Sequence, residues 1–224
     1  MKINQLAVGI LQTNCWIISL PEASQSSDEI DSPAECIVVD PGGDADLIIN
    51  QIEKLSLHPR YIVLTHAHFD HLVALPQLAA ACPDAKIAIH PEEAAKLGPA
   101  SFELHKQDLE SAGAPFYISE LRDPLPSASL LLSEGDTLGP FTIMHVPGHS
   151  PGSICLYSKE EKTLISGDTL FKGDFGRSDL PGGNRRSIGQ SLQRLSLLDG
   201  DTTVYPGHGP ITKIDQEKAV FMSI

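Results

Sequence analysis

The sequence predicts an α+β fold in which two β-sheets pack against each other and helices cover their outer faces. Ten short runs rich in Ile, Val, Thr and Tyr, mostly bounded by Gly, Pro, Asp or Asn, are typical of strands. Five further segments have the apolar periodicity of helices. Hairpin-like strand runs are mixed with isolated helices along the chain, and this order favours two packed sheets over one parallel sheet.

The elements follow one another without a repeat or a linker. The strand-like runs cover residues 5–8, 15–20, 36–40, 61–65, 86–90, 130–132, 141–146, 154–157, 163–166 and 203–205. The helical periodicity covers residues 45–55, 72–81, 91–97, 108–112 and 188–198. Glycines (18) and prolines (17) punctuate these short segments throughout. A chain of 224 residues can bury one large core, and we expect a single domain over residues 1–224.

Two segments are expected to lie outside the core. Residues 22–35 (EASQSSDEIDSPAE) are polar and acidic between two strands, which indicates a solvated loop. Residues 92–133 form a longer excursion, partly helical, that contains Phe102, Phe116 and Tyr117. Long excursions are uncommon in compact domains unless they form a lid or a binding loop. This segment is therefore either a substrate-facing lid or a surface insertion.

Composition and charge exclude several classes of partner. The chain has 16 Lys and Arg against 29 Asp and Glu, a net charge of −13, so we expect neither nucleic acid nor a membrane surface as its partner. No apolar run approaches the about 18 residues that a membrane helix requires. The N-terminus has no signal-peptide pattern and the four cysteines are scattered, so we expect reduced thiols and a cytoplasmic location.

A cluster of metal-ligating residues, HAHFDH, directly follows the strand-like run at 61–65. In extended chain, residues i and i+2 point the same way, so His66 and His68 can converge on one metal ion. Asp70 and His71 lie where the chain turns into the next helix and can face a second ion. Three His and one Asp within six residues are rarely produced by a structural need alone.

Three downstream residues, His149, Asp168 and His208, repeat this pattern. Each follows a strand-like run and has Gly or Pro beside it, so side chains from separate strands can meet on one rim. With HAHFDH they form two nitrogen-rich, carboxylate-containing sets, which favour zinc, iron or manganese over calcium or magnesium. We therefore expect two divalent ions, with zinc as the first choice. The other histidines are expected to be structural or on the surface: His58, His90, His105 and His145.

The HxHxDH stretch and the downstream His, Asp and His resemble the metallo-β-lactamase superfamily over essentially the whole chain. The resemblance implies a four-layer αβ/βα sandwich with the metals at one edge, between the two sheets. It also implies a role for each donor residue. The first metal would be held by His66, His68 and His149, the second by Asp70, His71 and His208, and Asp168 would bridge them.

Within the superfamily, the runs GDTLFKGDFGRSDLPGG and YPGHGPIT resemble short glyoxalase II-like (hydroxyacylglutathione hydrolase-like) enzymes. Asp at the bridging position argues against the antibiotic-hydrolysing members. Longer glyoxalase II enzymes have a C-terminal helical domain that binds glutathione, whereas this chain ends sixteen residues after His208. Arg177 aligns with a Lys that binds a glutathione carboxylate in the longer enzymes. It is therefore a candidate substrate-binding residue, with a salt bridge to Asp174 or Asp179 as the alternative.

The resemblance implies hydrolysis of a small-molecule thioester such as S-lactoylglutathione. A hydroxide bridging two metals is a nucleophile at neutral pH, because coordination lowers the pKa of water to about 7. Asp70 would hold and orient that hydroxide as the catalytic residue. A thiol has a pKa of about 8.5 and can leave as a thiolate without a dedicated acid.

Two other activities remain open from the sequence. Persulfide dioxygenases resemble this chain but use one iron, at positions matching His66, His149 and Asp168. Lactone or ester hydrolysis would need the same hydroxide and a different pocket. The sequence does not specify the acyl group, the oligomeric state or the metal.

Overall fold

The computed structural model describes residues 1–20 and 33–223, and within them the strands form two six-stranded sheets and a two-stranded ribbon. The N-terminal sheet has its strands in sequence order. Strands β1 to β3 are antiparallel and β3 to β6 are parallel. The strands are β1 (Lys2–Val8), β2 (Thr13–Ser19), β3 (Ala34–Val39), β4 (Leu57–Val63), β5 (Lys86–Ile89) and β6 (Leu130–Leu131).

The C-terminal sheet and the ribbon follow in the chain. They comprise β7 (Thr137–Leu138), β8 (Phe141–His145), β9 (Ile154–Ser158), β10 (Thr163–Gly167), β11 (Leu170–Phe171), β12 (Asp174–Phe175), β13 (Thr203–Pro206) and β14 (Thr212–Lys213). The order in the sheet is β14-β13-β10-β9-β8-β7, and β11 pairs with β12 in the ribbon. Strands β10 and β13 are parallel neighbours, so their carboxyl ends meet at one edge.

Helices cover the outer face of each sheet. The helices are α1 (Ala45–Lys54), α2 (Leu75–Ala81), α3 (Phe102–Ser111), α4 (Arg185–Leu195) and α5 (Lys218–Met222). Short 3₁₀ turns cover Phe69–His71, Pro91–Lys96, Pro115–Glu120 and Ile214–Glu217. Helices α1 to α3 pack with the N-terminal sheet, and α4 and α5 pack with the C-terminal sheet.

Alternate residues of the central strands enter two different cores, because successive side chains of a strand point to opposite faces. On β2, Ile17 packs on the side of α1 and α2, whereas Ile18 packs against the C-terminal sheet. On β4, Ile62 and Val63 divide in the same way. The result is the expected four-layer sandwich, so the predicted fold class is confirmed.

Several predicted boundaries were wrong. The helix expected from residue 72 begins at Leu75, because residues 69–71 form a 3₁₀ turn closed by the His71 N–H donating to the His68 carbonyl. The helix expected at 91–97 is a 3₁₀ turn over Pro91–Lys96, and the helix expected at 108–112 is the end of the longer α3. Of the expected loop at 22–35, Ala34 and Glu35 belong to β3, and residues 22–32 lie outside the described residues.

The cysteines are free thiols, as expected. Cys15, Cys36 and Cys155 are buried and Cys82 is half-buried. Burial raises the pKa of both Cys36 and Cys155 to about 12, so these thiols keep their protons at neutral pH. In the part of the chain that the structure describes, every helix is too short or too polar to cross a membrane.

Candidate metal centre

Three imidazoles converge at one edge of the sandwich. His66 follows β4, and His68 keeps the chain extended, with φ −72° and ψ 146°. The Nε2 atom of His66 lies 3.0 Å from Nδ1 of His68 and 3.2 Å from Nε2 of His149. Burial lowers the pKa of His66 and of His68 well below its ordinary value, so both rings are neutral and have a lone pair to offer a metal.

A second set lies beside the first. Asp70 and His71 occupy the 3₁₀ turn at 69–71, and His208 follows β13. Asp70 Oδ2 accepts a hydrogen bond from His208 Nε2 at 3.1 Å and lies 3.6 Å from His71 Nε2. The donor atoms of these three residues all lie within 4.8 Å of one another, which is close enough to share one ion.

Asp168 lies between the two sets. Its Oδ1 atom is 3.5 Å from His71 Nε2, and its Oδ2 atom is 3.6 Å from His149 Nε2 and 3.7 Å from His208 Nε2. The carboxylate therefore faces His149 of the first set and both His71 and His208 of the second set. The structure thus brings together all seven residues that the sequence nominated as ligands.

The donor set fits divalent metal ions. Among the described residues, Nε2 of His71 and Oδ1 of Asp168 are buried without a hydrogen-bond partner. Such buried polar atoms are costly unless something binds them. Imidazole nitrogens combined with carboxylate oxygens are the ligands that zinc, iron and manganese accept. Two divalent ions would give these atoms the partners they lack.

Opposite charges balance around the second set. Burial raises the pKa of Asp70, but His71 and the hydrogen bond from His208 outweigh burial and hold that pKa below its ordinary range. Burial lowers the pKa of His71, but Asp168 and Asp70 raise it well above its ordinary value. Metal binding to the His71 ring would therefore release a proton.

Asp40 contacts His71 directly and reaches His66 through Thr65, and the sequence analysis did not identify it. Its carboxylate accepts hydrogen bonds from the Thr65 N–H at 2.8 Å and the Thr65 hydroxyl at 2.7 Å, and Oδ2 lies 3.0 Å from His71 Nδ1. Thr65 Oγ1 in turn lies 3.1 Å from His66 Nδ1. The signal in the sequence was an Asp directly after a buried strand and before PGG, in a left-handed conformation (φ 52°) that Asp tolerates better than most residues.

Hydrogen bonds to backbone carbonyls position His149 and the turn that carries His208. His149 Nδ1 donates to the Arg177 carbonyl at 2.7 Å, which leaves Nε2 free to face the metals. Asn14 Nδ2 donates to the carbonyls of Pro206 and Gly209, at 3.0 and 2.8 Å. These contacts tie the turn that carries His208 to the N-terminal sheet, so the centre depends on both sheets.

Gly207 is required by close approach. A Cβ atom at this position would lie 2.1 Å from Asp168 Oδ1 and 2.8 Å from His71 Cε1. Both distances are below any normal contact with a Cβ atom. The glycine in YPGHGP thus lets the backbone pass directly beside the bridging carboxylate.

A pocket of about 460 Å³ opens beside the seven residues. One wall comes from α3 and the chain that follows it, within the 92–133 excursion. The other wall comes from the β11–β12 ribbon and the segment after it. Its apolar lining residues are Leu11, Ala67, Phe69, Leu109, Ala112, Ala114, Tyr117, Phe171, Phe175, Leu180 and Pro181.

Arg177 lies at the rim of this pocket but already has a partner. Its Nε and Nη2 atoms donate to Oδ1 and Oδ2 of Asp179, both at 2.8 Å. This is the salt bridge expected as the alternative role of Arg177, with Asp179 and not Asp174 as the partner. A substrate-binding role for Arg177 stays a prediction.

The four other histidines divide by position. His58 is exposed on β4, and His90 and His145 stack with ring centroids 4.1 Å apart and planes at 14°. Their donor atoms and a Glu92 carboxylate oxygen lie within 4.8 Å of one another, but His145 Nε2 already donates to the Pro151 carbonyl and His90 Nδ1 accepts from the Glu92 N–H. His105 is buried, donates to the Lys96 carbonyl at 2.8 Å and lines the pocket, a place that the sequence did not predict.

The fold and site agree with a family comparison. A sequence model of the metallo-β-lactamase superfamily matches residues 9–208, which include all seven candidate ligands. The chain belongs to the metallo-β-lactamase superfamily. As a member of this superfamily it is a hydrolase with two metal-binding residue sets at the edge between its sheets.

Similar superfamily members cover nearly the whole chain. The probable metallo-hydrolase YqgX of Bacillus subtilis is 35% identical over 231 residues, covering 100% of this chain and 98% of YqgX. The hydroxyacylglutathione hydrolase GloC of Haemophilus influenzae is 31% identical over 221 residues, covering 97% and 95%. The chain therefore has the length of these metallo-β-lactamase superfamily relatives.

Solved structures of the superfamily superpose closely. The B3 metallo-β-lactamase BLEG-1 gives a TM-score of 0.78 at 31% identity, covering 97% of both chains. TTHA1623, solved in a di-iron-bound form, gives 0.77 at 33% identity, covering 96% of both. A protein named a β-lactamase and one named a hydroxyacylglutathione hydrolase are thus both similar to this chain, so its substrate depends on the residues of its own pocket.

Proposed function

We propose that the protein is a binuclear metal-dependent thioesterase that cleaves a small-molecule thioester into a carboxylic acid and a thiol, with S-lactoylglutathione as the first substrate to test. The observation that supports the proposal is the position of Asp168, whose carboxylate faces His149 of the first donor set and both His71 and His208 of the second. One carboxylate between two donor sets favours a pair of ions, which we take to be zinc. The free, buried cysteines favour action in the cytoplasm.

The chemistry divides between the ions and the chain. Divalent ions bound here would polarise the thioester carbonyl and lower the pKa of a water molecule to about 7. Asp70, held by the Thr13 hydroxyl at 3.2 Å, would accept a hydrogen bond from that water and orient it toward the carbonyl carbon. The thiol leaves as a thiolate because its pKa is about 8.5, so no side chain has to protonate it.

Support for thioester chemistry also comes from a relative. The chain covers 95% of GloC, which is named a hydroxyacylglutathione hydrolase, at 31% identity. The apolar pocket beside Asp70 provides room for the arms of a substrate. The apolar walls and the two donor sets together favour hydrolysis of an uncharged ester or thioester.

The test combines metal content with a substrate panel. The protein is loaded with zinc, iron or manganese, the ions per chain are counted by elemental analysis, and S-lactoylglutathione, a lactone and glutathione persulfide are offered in turn. We expect two ions per chain, thioester cleavage and no oxygen uptake. Asp70→Ala should lower kcat by at least about 100-fold, whereas Asp84→Ala, at an exposed turn, should leave it unchanged.

Other outcomes would favour a different activity or overturn the proposal. One iron per chain with oxygen uptake on the persulfide would favour a dioxygenase. Cleavage of the lactone alone would favour an ester hydrolase on the same framework. Absence of thioester cleavage, with Asp70→Ala and wild type behaving alike, would overturn the proposal.

A further inference from the structure

The walls of the pocket are apolar on both sides of the metal centre. On the α3 side, Phe69 and Tyr117 stack with ring centroids 5.0 Å apart and planes at 21°, and Leu109 is 7% exposed beside them. On the opposite side, Phe171 and Phe175 come from the ribbon. An arm of the substrate that leaves the metal centre in either direction meets hydrocarbon.

The charged groups of these walls are already paired. Among the lining residues outside the seven candidate ligands, the charged side chains are Asp108 and Arg177. Asp108 Oδ2 is 2.7 Å from Lys96 Nζ, and both oxygens of Asp179 accept from the Arg177 guanidinium. The buried His105 ring is bonded to a carbonyl, and burial lowers its pKa. Among the lining side chains that the structure describes, the one Arg or Lys is Arg177, and its guanidinium is already bonded to Asp179.

This bears directly on a glutathione arm. Glutathione has two carboxylates, and placing a carboxylate against apolar walls without a cationic partner is costly. An uncharged arm pays no such cost and gains from burial of its methylene groups. The apolar walls and the paired charges of the pocket therefore both favour an uncharged substrate.

We propose that the pocket selects thioesters whose acyl and thiol arms are both uncharged, with an apolar acyl group, and that glutathione is not the preferred thiol. The proposal rests on the thioesterase function proposed above and narrows its substrate. Asp179 competes with a substrate carboxylate for the Arg177 guanidinium, and the apolar wall of α3 favours hydrocarbon.

The kinetic test uses matched substrates on the metal-loaded protein. Acetyl to hexanoyl thioesters of N-acetylcysteamine, whose thiol arm is uncharged, are compared with the same acyl thioesters of glutathione. We expect kcat/KM to be at least about tenfold higher for the uncharged thiol. With lengthening of the acyl group, kcat/KM should rise by up to about three- to fourfold per methylene.

A binding test is independent of turnover. Calorimetry measures the Kd of two thioethers that cannot be hydrolysed, S-hexyl-N-acetylcysteamine and S-hexylglutathione. We expect tighter binding of the uncharged thioether. Asp179→Ala frees the Arg177 guanidinium, so it should tighten S-hexylglutathione by about fivefold and leave the uncharged thioether unchanged.

Two variants of the α3 wall form a matched pair. Ala112→Asp adds a carboxylate to the pocket lining and should lower kcat/KM for the hexanoyl N-acetylcysteamine thioester at least about tenfold. Gln107→Asp adds the same group at an exposed position of α3 that does not line the pocket, and should have no effect.

The failures are distinguishable. If glutathione thioesters are preferred and Arg177→Ala abolishes that preference, the selectivity is overturned and the thioesterase function stands. Equal binding of the two thioethers would also overturn the selectivity. If no thioester of either series is cleaved by the metal-loaded protein, the thioesterase function fails, while the calorimetry still decides the charge preference of the pocket.

Discussion

Asp40 Oδ2 lies 3.0 Å from Nδ1 of His71, so a buried carboxylate faces the ring nitrogen that points away from the metal centre. A carboxylate in this position fixes the orientation of a ligating imidazole and raises its basicity. Asp40→Asn would keep the shape but present an amide with weaker attraction for the ring N–H. We expect metal affinity at the second set to fall by about 10- to 100-fold, measured by competition with a chromophoric chelator.

The control for this prediction lies in the same loop. The exposed Asp44 carboxylate accepts the Gly9 N–H at 2.8 Å, and none of the hydrogen bonds or ion pairs that the structure describes joins it to a candidate metal ligand. Asp44→Asn should leave both metal affinities unchanged. If Asp40→Asn binds metal as tightly as wild type, Asp40 does not position His71.

Gly207→Ala should damage the centre directly. The new Cβ would lie 2.1 Å from Asp168 Oδ1, so either the carboxylate or the turn before His208 must move. Overpacking of this kind costs about 1–3 kcal/mol of unfolding free energy, and we expect fewer than two bound ions per chain by elemental analysis.

Gly209→Ala is the matched change two residues along. Gly209 has φ +75° and no atom within 4 Å of a Cβ, so its replacement costs about 1–2 kcal/mol of backbone strain but intrudes on nothing. It should retain both ions. Full metal content in Gly207→Ala would contradict the assigned close approach.

The placement of the candidate ligands could be predicted because each follows a strand. His149, Asp168 and His208 come after β8, β10 and β13, which run in the same direction in the C-terminal sheet and therefore end at one edge. The run rich in Ile, Val, Thr and Tyr at residues 61–65 likewise predicted a strand there, and β4 covers Leu57–Val63. These features depend on residues close in sequence or on one rule of sheet geometry.

The supporting residues could not be predicted, because their roles depend on distant contacts. Asp40 reaches His71 only because β3 and β4 are parallel neighbours. The pairing of Arg177 with Asp179 depends on side-chain conformation. The first turns of α3 were missed because Phe102 and Leu104 are exposed, at 49% and 39%, and break the apolar periodicity that marks a helix.

Removal of metal should lower thermal stability. The seven donors converge from separate strands, so divalent ions would bind the folded chain and not the unfolded one. At 100 times Kd, each site adds about 2.7 kcal/mol. Since 1 kcal/mol shifts Tm by about 2–4 °C in a chain of this size, chelation should lower Tm by about 10–20 °C.

The matched variant for metal removal is His208→Ala, which retains the first set of imidazoles. Its Tm should fall by about half as much on chelation, since only one site of about 2.7 kcal/mol remains. Differential scanning calorimetry measures both. An unchanged Tm after chelation, in protein whose ions are shown to be gone, would contradict the metal-dependent stability.

The buried thiol of Cys155 should make stability fall at alkaline pH. Burial raises its pKa to about 12 in the folded protein, whereas an unfolded thiol has a pKa of about 8.5. The folded chain therefore holds this proton more tightly. Its contribution is complete below about pH 8.5 and is lost as pH rises toward 12, at about 1.4 kcal/mol per pH unit. Urea unfolding of wild type and Cys155→Ala between pH 8 and 11 measures this slope.

The sign of that effect separates it from simple loss of packing. Cys155→Ala should be less stable than wild type at pH 8, because a buried side chain is truncated, but its unfolding free energy should fall less steeply above about pH 9. Cys82→Ala, at a half-buried position, should change the slope less. Parallel curves for wild type and Cys155→Ala would mean that the Cys155 thiol titrates alike in the folded and unfolded chains.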